Sequence, residues 1–278
     1  MNTEIKINVV FRTCDKINAV HGSPRPFGLD KKELIKICFL SLIDSIKDIK
    51  HNIIIVADDL SNEMIHFFEG FNVSMVHGKY GNDNSLRECF KIASNLPDDE
   101  YVYFCEDDYL HTPNCFIEIA NLIKESHLIF PRAVTFKKLL RKRELVWFRM
   151  KRFFKKPDFI VFPCDYPDRY QPSFLEKSFI FKTTSLHWRQ IRDITFTFFI
   201  STNSFKKHKK VFEKSANKAN DRYLSRKLLG NNFFYSKLLG LSPLPSLSCH
   251  MHSETMSYVV NWENVLKVYQ EKLRNGKY

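Results

Sequence analysis

Glycine is scarce in this chain, with 8 among 278 residues, and proline is modest at 11. These numbers exclude a collagen-like chain and a chain dominated by flexible linkers. No apolar run approaches the roughly 18–20 residues that a membrane-spanning helix needs. Residues 1–6 lack the basic and apolar regions of a signal peptide. We therefore expect a cytoplasmic protein.

The cysteines also lack a recognisable pattern. There are seven, an odd number, and none forms a C-x-x-C pair. Several lie within apolar stretches, as Cys38 and Cys105 do. A disulfide framework or a zinc site is disfavoured, and buried free thiols in a reducing compartment are expected.

Acidic residues are outnumbered, with 31 against 43 lysines and arginines, which gives a formal net charge of +12. Residues 137–156 hold ten basic residues and one acid, 10 − 1 = +9, and leave +3 for the rest of the chain. A surface that binds nucleic acid would spread this charge more widely. The partner of the excess charge is therefore expected at this segment.

The chain is otherwise that of a folded protein, because 44% of its residues are hydrophobic and 26 are phenylalanine. Its pattern in the first half alternates strands with helices. Strands are predicted at 5–11, 53–56, 73–76 and 101–105, and helices at 34–46 and 84–96. This alternation predicts βαβ units, an α/β fold and a mainly parallel sheet flanked by helices.

The second half is less regular. Strands are predicted at 159–162, 178–183 and 194–200, and helices at 221–229 and 262–273. Trp188 is interpreted either as a core residue or as an aromatic wall for a sugar.

Three adjacent acids, Glu106, Asp107 and Asp108, follow the last strand of the first half. Carboxylates crowded beside a hydrophobic core repel one another, so a counter-cation is expected. Mg²⁺ or Mn²⁺ held by carboxylate oxygens would supply it. The alternatives are a solvated turn and a helix N-terminus whose dipole tolerates acids.

The polar ends of the strands together resemble the donor-binding half of a GT-A fold nucleotide-sugar glycosyltransferase of the family 2 type. The likeness covers residues 5–115 and rests on Arg12-Thr13, Asp58-Asp59, Gly81-Asn82-Asp83-Asn84-Ser85 and Glu106-Asp107-Asp108. The acidic triplet is similar to the DXD motif of that family, with glutamate at its first position.

The resemblance implies one GT-A (Rossmann-like) domain over 1–278. Residues 1–115 would be the nucleotide-sugar donor half, and 116–278 the acceptor half with a basic amphipathic insertion at about 136–156. Transfer would run from a nucleotide-sugar, of the UDP type, to a glycan or lipid-linked acceptor, with Mn²⁺ or Mg²⁺ as cofactor. The setting would be surface polysaccharide or lipopolysaccharide biosynthesis at the inner face of the cell membrane.

The same resemblance assigns site residues. Asp108 would bind the metal, and donor binding would fall to Arg12, Thr13, Asp58, Asn82, Ser85, Glu106 and Asp107. A histidine of the C-terminal half commonly completes the metal site in such enzymes. His250 is the first choice and His252 the second, because alternate residues of an extended segment face opposite ways. The alternative is a loop with two partly exposed histidines.

An inverting transfer also needs a carboxylate general base for the acceptor hydroxyl. Asp221, ahead of a predicted helix, and Asp165, in the aromatic stretch 164–170, are the candidates. Asp221 could instead cap its helix, and Asp165 and Asp168 could instead form a turn.

The basic segment has three interpretations: an amphipathic helix in a membrane interface, a site for an anionic acceptor, or a solvated excursion. The residues expected to contact an anionic membrane or another anionic partner are Arg141, Lys142, Arg149, Lys151 and Arg152. Nucleic acid is not expected, because no nucleic-acid module is recognisable.

Two other functions stay open at this point. A nucleotidyl or phosphosugar transferase would be favoured by a basic, glycine-bearing loop after the first strand, which Gly22-Ser23-Pro24-Arg25 suggests only weakly. A non-catalytic protein that binds membrane or nucleic acid would depend on residues 137–156 and would not need the acidic triplet.

Overall fold

The computed structural model describes residues 4–16, 25–126, 158–171, 178–230 and 237–276. The segment 137–156, with all five predicted membrane-contacting residues, lies outside the described residues. The described strands are β1 (Lys6–Thr13), β2 (Lys50–Asp58), β3 (Ser74–Gly78), β4 (Tyr101–Glu106), β5 (Tyr109–His111), β6 (Phe159–Val161), β7 (Ile180–Lys182), β8 (His187–Ile191), β9 (Phe198–Ser201), β10 (Leu239–Leu244) and β11 (Ser248–His250).

The described α-helices are α1 (Lys31–Ile46), α2 (Asn62–Glu69), α3 (Gly81–Ser94), α4 (Cys115–Lys124), α5 (Thr202–Lys207), α6 (Lys209–Ser215), α7 (Asp221–Leu228) and α8 (Trp262–Arg274). Within the described ranges, no helix combines the length and the apolar character that crossing a membrane requires.

Nine strands form one sheet in the order β3-β2-β1-β4-β9-β6-β10-β8-β7. Seven of them run in one direction, and only β9 and β8 run in the other. The α/β fold class with a mainly parallel sheet is confirmed. All four antiparallel pairings involve β8 or β9, which belong to the less regular second half.

The strand order reverses between β1 and β4. The chain leaves β1 through α1 to β2 and through α2 to β3, and then returns through α3 to place β4 on the other side of β1. Parallel pairing sets Arg12 of β1 beside Glu106 of β4. Because ligands of open α/β sheets bind where the strand order reverses, this edge is the expected site.

A second, two-stranded sheet joins the distant halves of the chain. In it β5 pairs antiparallel with β11, so that Tyr109 lies opposite His250. The backbone N–H of Met251 also donates to the carbonyl oxygen of Asp108 at 2.8 Å. This pairing carries the histidine loop to the acidic end of β4.

The core is formed by apolar runs that are buried on both faces of the sheet, as parallel strands require. Phe11 of β1, Phe39 of α1 and Phe68 of α2 pack edge to face with centroids 4.9–6.1 Å apart. Trp188 is fully buried, and its Nε1 donates to Thr183, so the core interpretation of this tryptophan holds. None of the seven cysteines forms a disulfide, and six of them are buried.

Candidate active site at the ends of β1 and β4

A cavity of about 320 Å³ opens at the carboxyl ends of β1 and β4, and we call it the strand-end cavity. It brings together every described residue that was predicted to bind donor or metal, and one of the two candidate bases. These are Arg12, Thr13, Asp58, Asn82, Ser85, Glu106, Asp107, Asp108, His250 and Asp221.

Glu106 is held by Arg12. Nη2 of Arg12 lies 2.6 Å from Oε1 of Glu106, and Nη1 donates to the side chains of Asn82 and Ser85 at 2.8 and 3.3 Å. Burial raises the pKa of Glu106, and the attraction of Arg12 only partly offsets this. The guanidinium thus links the ends of β1 and β4 to the first turn of α3, so most of its donors are already used within the protein.

Both carboxylate oxygens of Asp107 also have partners within the protein. Oδ1 lies 2.6 Å from Nζ of Lys31, and Oδ2 accepts from the hydroxyl of Thr13 and from the backbone N–H of Cys14, both at 3.0 Å. Burial lowers the pKa of Lys31, but the nearby carboxylates of Asp107 and Asp108 outweigh it, and the pKa is raised. Asp107 therefore fixes the turn that follows β1.

Asp58 fixes the turn ahead of α3. Its Oδ1 accepts from the backbone N–H of Tyr80 at 2.7 Å and of Gly81 at 3.0 Å. Gly81 has φ +70°, a left-handed conformation that disfavours other residues. The turn aims the N-terminus of α3 at the cavity, where the helix dipole favours an anion.

Asp108 has the most crowded surroundings. Its Oδ2 lies 3.0 Å from Nη1 of Arg25, 3.3 Å from Nε2 of His252 and 3.4 Å from Nε2 of His250. Burial raises the pKa of Asp108, but His250, His252 and Lys31 outweigh it, so the pKa lies well below its usual range. Asp108 is therefore ionised at neutral pH.

Both histidines reach Asp108, which differs from the expectation that only one would. The extended segment ends at His250, the chain bends, and the N–H of His252 donates to the carbonyl of His250 at 2.8 Å. The two rings consequently lie on the same side, with centroids 4.2 Å apart. The rule of alternate faces applies to strands and fails at this bend.

Aromatic residues orient His250. The ring of Tyr109 stacks on it at 4.7 Å, and the hydroxyl of Tyr166 lies 3.2 Å from Nδ1. A partner on Nδ1 directs Nε2 toward Asp108. Burial lowers the pKa of His250, but Asp108 and Glu106 outweigh it, and the pKa is raised.

The ligand atoms of Asp108, His250 and His252 lie within 4.8 Å of one another, which suits one metal ion. Two imidazole nitrogens and one carboxylate oxygen fit Mn²⁺ or another first-row transition metal better than Mg²⁺, which prefers oxygen. Cys249 is buried, and its thiol contacts the carbonyl oxygen of His250, so it lies outside this ligand set.

The two candidate bases lie in different surroundings. Asp221 is exposed, lines the strand-end cavity and is the first residue of α7. The side chain that caps this helix is that of Asn220, which accepts from the N–H of Tyr223 at 2.8 Å, so the cap interpretation of Asp221 is wrong.

Asp165 is 2% exposed, lies outside the strand-end cavity, and contacts the hydroxyl of Tyr170 and the guanidinium of Arg189. Burial raises the pKa of Asp165, an effect that Tyr170 and Arg189 only partly offset. These contacts give Asp165 a structural position, and the structure does not bring it to the other candidate residues.

Two cations of the cavity were missed as site residues by the sequence reasoning. The sequence indicates Arg25 only as part of a weakly suggestive basic loop, and no pattern in it points to Lys31. Arg25 precedes a short 3-10 helix (Pro26–Gly28), and Lys31 begins α1. Neither residue lies in a recognisable motif. Their places in the cavity depend on the path of the chain after β1, which brings them to the acidic end of β4.

Among known proteins, no family profile and no curated sequence matches the chain. Solved structures that are similar over nearly all of it include S. aureus TarS 1–349, at 12% identity and TM-score 0.47, with 98% of this chain and 66% of that chain covered. The chain thus spans about two thirds of that structure. A second is galactosyltransferase LgtC in complex with donor and acceptor sugar analogues, at 8% identity, 95% coverage of both chains and TM-score 0.45.

A third similar structure is the 4-diphosphocytidyl-2C-methyl-D-erythritol synthase of Anaerococcus prevotii DSM 20548. It shows 11% identity and a TM-score of 0.44, with 98% of this chain and 99% of that chain covered. The order of the strands in this chain and the acidic end of β4 fit the GT-A-like fold that the resemblance implied.

Proposed function

We propose that this chain is a metal-dependent glycosyltransferase that uses a nucleotide-sugar donor, of the UDP type, and inverts the anomeric centre. One observation carries the proposal. The strand-end cavity combines one arginine and one lysine suited to phosphate, Arg25 and Lys31, with an Asp-His-His cluster suited to a metal and an exposed carboxylate.

The donor would lie with its diphosphate near Arg25, Lys31 and the N-terminus of α3, which all favour negative charge. Arg12 and Asp107 would act by holding the walls of this site, since their polar atoms are engaged within the protein. Asp58 would hold the α3 turn in the same way.

Asp108, His250 and His252 would hold the metal. When bound, such an ion stabilises the negative charge that develops on the departing phosphate. Arg25 would then give up Asp108 and turn to the phosphates, because its guanidinium and the ion need the same carboxylate oxygen.

Asp221 would remove the proton of the acceptor hydroxyl. A hydroxyl has a high pKa, so its attack on the sugar requires a carboxylate within hydrogen-bond reach. Asp221 suits this role because it is exposed at the border of the cavity, whereas Asp165 is enclosed by Tyr170 and Arg189. Direct attack on one face would invert the anomeric centre.

The remaining parts of the proposal come from the sequence. Residues 1–115 would form the donor half and 116–278 the acceptor half. The +9 segment 137–156 would attach the protein to the anionic inner face of the cell membrane, where surface polysaccharide or lipopolysaccharide is built.

A nucleotidyl or phosphosugar transferase is the second candidate, because Arg25 and Lys31, both after β1, line the cavity. Such a basic segment suits the triphosphate of a nucleotide substrate. The two functions differ in their products: a nucleotidyltransferase releases pyrophosphate, and a glycosyltransferase releases a nucleoside diphosphate or monophosphate.

The test is a thermal-shift panel of UDP-, GDP-, CMP- and dTDP-sugars with and without Mn²⁺. A ligand that binds the native state raises the melting temperature. We expect a Mn²⁺-dependent rise with one nucleotide class in the wild-type protein and its loss in Asp108→Asn. Asp48→Asn, in the exposed turn after α1, is the matched control and should respond as the wild type does. No rise with any donor would reject the proposal.

A further inference from the structure

A second cavity, of about 360 Å³, adjoins the strand-end cavity, and we call it the arginine cavity. The two cavities share Thr195 and Asp221 in their walls. Tyr166, which lines the arginine cavity, also contacts His250 of the metal cluster through its hydroxyl. A group bound in the arginine cavity would therefore lie beside the exposed carboxylate proposed as the base.

Three arginines are among the described residues that line the arginine cavity: Arg192, Arg222 and Arg226. Arg222 and Arg226 are one turn apart on α7 and are both exposed. Like charges at this spacing repel each other, so the pair destabilises an isolated helix. An anionic ligand that contacts both side chains would offset that repulsion, because each arginine would then lie beside a negative charge.

The acids of the wall offset these cations only in part. Asp193 already has a partner, because its Oδ1 lies 2.9 Å from Nη2 of Arg169, whose side chain is 2% exposed. Arg169 in turn lies over the rings of Phe162 and Tyr166, at 5.9 and 5.7 Å. Among the described residues, this wall together with Arg169 holds four arginines and two aspartates, a formal net charge of +2.

We propose that the arginine cavity is the acceptor site and that it takes an acidic acceptor, one that carries a phosphate or a carboxylate beside the hydroxyl that reacts. This inference rests on the proposed glycosyl transfer. Guanidinium groups bind both kinds of anion through paired hydrogen bonds. The half-buried side chain of Tyr166 supplies an apolar surface that a glycan or glycerol backbone can cover.

The experiment measures binding by calorimetry with three small probes, in the presence of UDP and Mn²⁺. The probes are glycerol 3-phosphate, D-glucuronate and neutral D-glucose. We expect the wild-type protein to bind at least one acidic probe and to bind glucose at least about tenfold more weakly, since a charged hydrogen bond contributes about one power of ten. Whichever acidic probe binds more tightly identifies the anion.

The decisive variant is Arg222→Ala/Arg226→Ala, for which we expect affinity for that probe to fall about 100-fold, roughly tenfold for each guanidinium. Alanine favours the helix, so α7 should remain folded. Arg222→Lys/Arg226→Lys keeps the charge and should recover part of the affinity. Lys267→Ala/Arg274→Ala removes the same charge from two exposed positions of α8 and should bind as the wild type does.

Equal affinity of the wild type and Arg222→Ala/Arg226→Ala for the acidic probes would overturn the inference. An equal loss in the α8 control would overturn it too, because the effect would then be one of overall charge. Donor binding is measured separately on the wild type with the nucleotide-sugar panel. If no donor binds but the acidic probe depends on Arg222 and Arg226, the proposed function fails and the anion site stands.

Discussion

The Arg25→Met variant should bind Mn²⁺ more tightly than the wild-type protein. Nη1 of Arg25 lies 3.0 Å from Oδ2 of Asp108, the same oxygen that His252 and His250 approach at 3.3 and 3.4 Å. The guanidinium therefore occupies the oxygen that a cation held by these three side chains would need. Methionine keeps an unbranched apolar stem and removes the charge.

The magnitude follows from the bond that metal binding has to break. The side chains of Arg25 and Asp108 are 8% and 12% exposed, so water and salt screen their attraction little. A hydrogen bond between charged groups contributes about 1.5–3 kcal/mol. This corresponds to roughly 10- to 150-fold in a binding constant, and we expect the Kd for Mn²⁺ to fall by a factor in that range.

Lys31→Met is the matched control for charge. Lys31 is 12% exposed, lines the same cavity and contacts Asp107 at 2.6 Å, and none of its described hydrogen bonds reaches Asp108. Both variants remove one positive charge, but only Arg25→Met frees the Asp108 oxygen. Calorimetric titration of Mn²⁺ into the three proteins at constant ionic strength measures the difference.

Two results would refute the reasoning. Equal gains in Arg25→Met and Lys31→Met would mean that the effect is general electrostatics and that Arg25 does not compete for Asp108. A weaker Mn²⁺ affinity in Arg25→Met would mean that the guanidinium supports the metal site.

The remaining predictions concern pH, the base and the membrane. In the metal-free protein, neighbouring carboxylates raise the pKa of His250 above its ordinary value of 6.5, so protonated His250 stabilises the fold. That contribution is fully present below pH 6.5 and is lost as the pH rises through the raised pKa. Urea unfolding from pH 6 to 9 should show this loss of stability in the wild type and in the exposed control His66→Gln. His250→Gln should not show it. Mn²⁺ needs neutral imidazole, so its affinity should change in the opposite sense and increase over the same range. Asp221→Asn should slow sugar transfer about 100- to 10,000-fold with the nucleotide-induced thermal shift retained. Asp165→Asn should lower the free energy of unfolding by about 1–3 kcal/mol with little effect on the rate of sugar transfer. A slower transfer in Asp165→Asn and an unchanged rate in Asp221→Asn would mean that Asp165 is the base. Cosedimentation with phosphatidylglycerol vesicles should fall when five basic residues are changed to glutamine, because each contributes about 1 kcal/mol to the free energy of membrane binding. The five are Arg141, Lys142, Arg149, Lys151 and Arg152. Equal binding of the wild type and this variant would exclude the membrane role.

The first half of the fold could be predicted because its signals are local. Continuous apolar runs mark β1, β2 and β4, and each ends at a polar residue that belongs to the cavity. Since parallel strands end at one edge of the sheet, the approximate position of Arg12, Asp58 and Asp108 follows from the pattern alone. The short strands β5 and β11 carry no such signal, because each has only three residues.

The partners of the acids could not be predicted from the sequence. Three crowded carboxylates indicate that some cation is needed, and a metal is one answer. The structure has a protein cation on each: Arg12 on Glu106, Lys31 on Asp107 and Arg25 on Asp108. Those contacts join residues 76 to 94 positions apart, a separation at which no periodicity or spacing rule applies.

In the proposed function, these three ion pairs would make the binding of metal and of nucleotide mutually dependent. The carboxylates of residues 106–108 have a formal charge of −3 and their lysine and arginine partners +3, so the three ion pairs balance before a ligand enters. An ion that displaced Arg25 would leave a guanidinium without its carboxylate, and a diphosphate would give it a new anionic partner. Because coupling is reciprocal, Mn²⁺ should tighten UDP binding by the same factor, about tenfold or more, by which UDP tightens Mn²⁺ binding. Equal Mn²⁺ affinities with and without UDP would mean that Arg25 stays paired with Asp108. The two ligands would then not be coupled through this guanidinium.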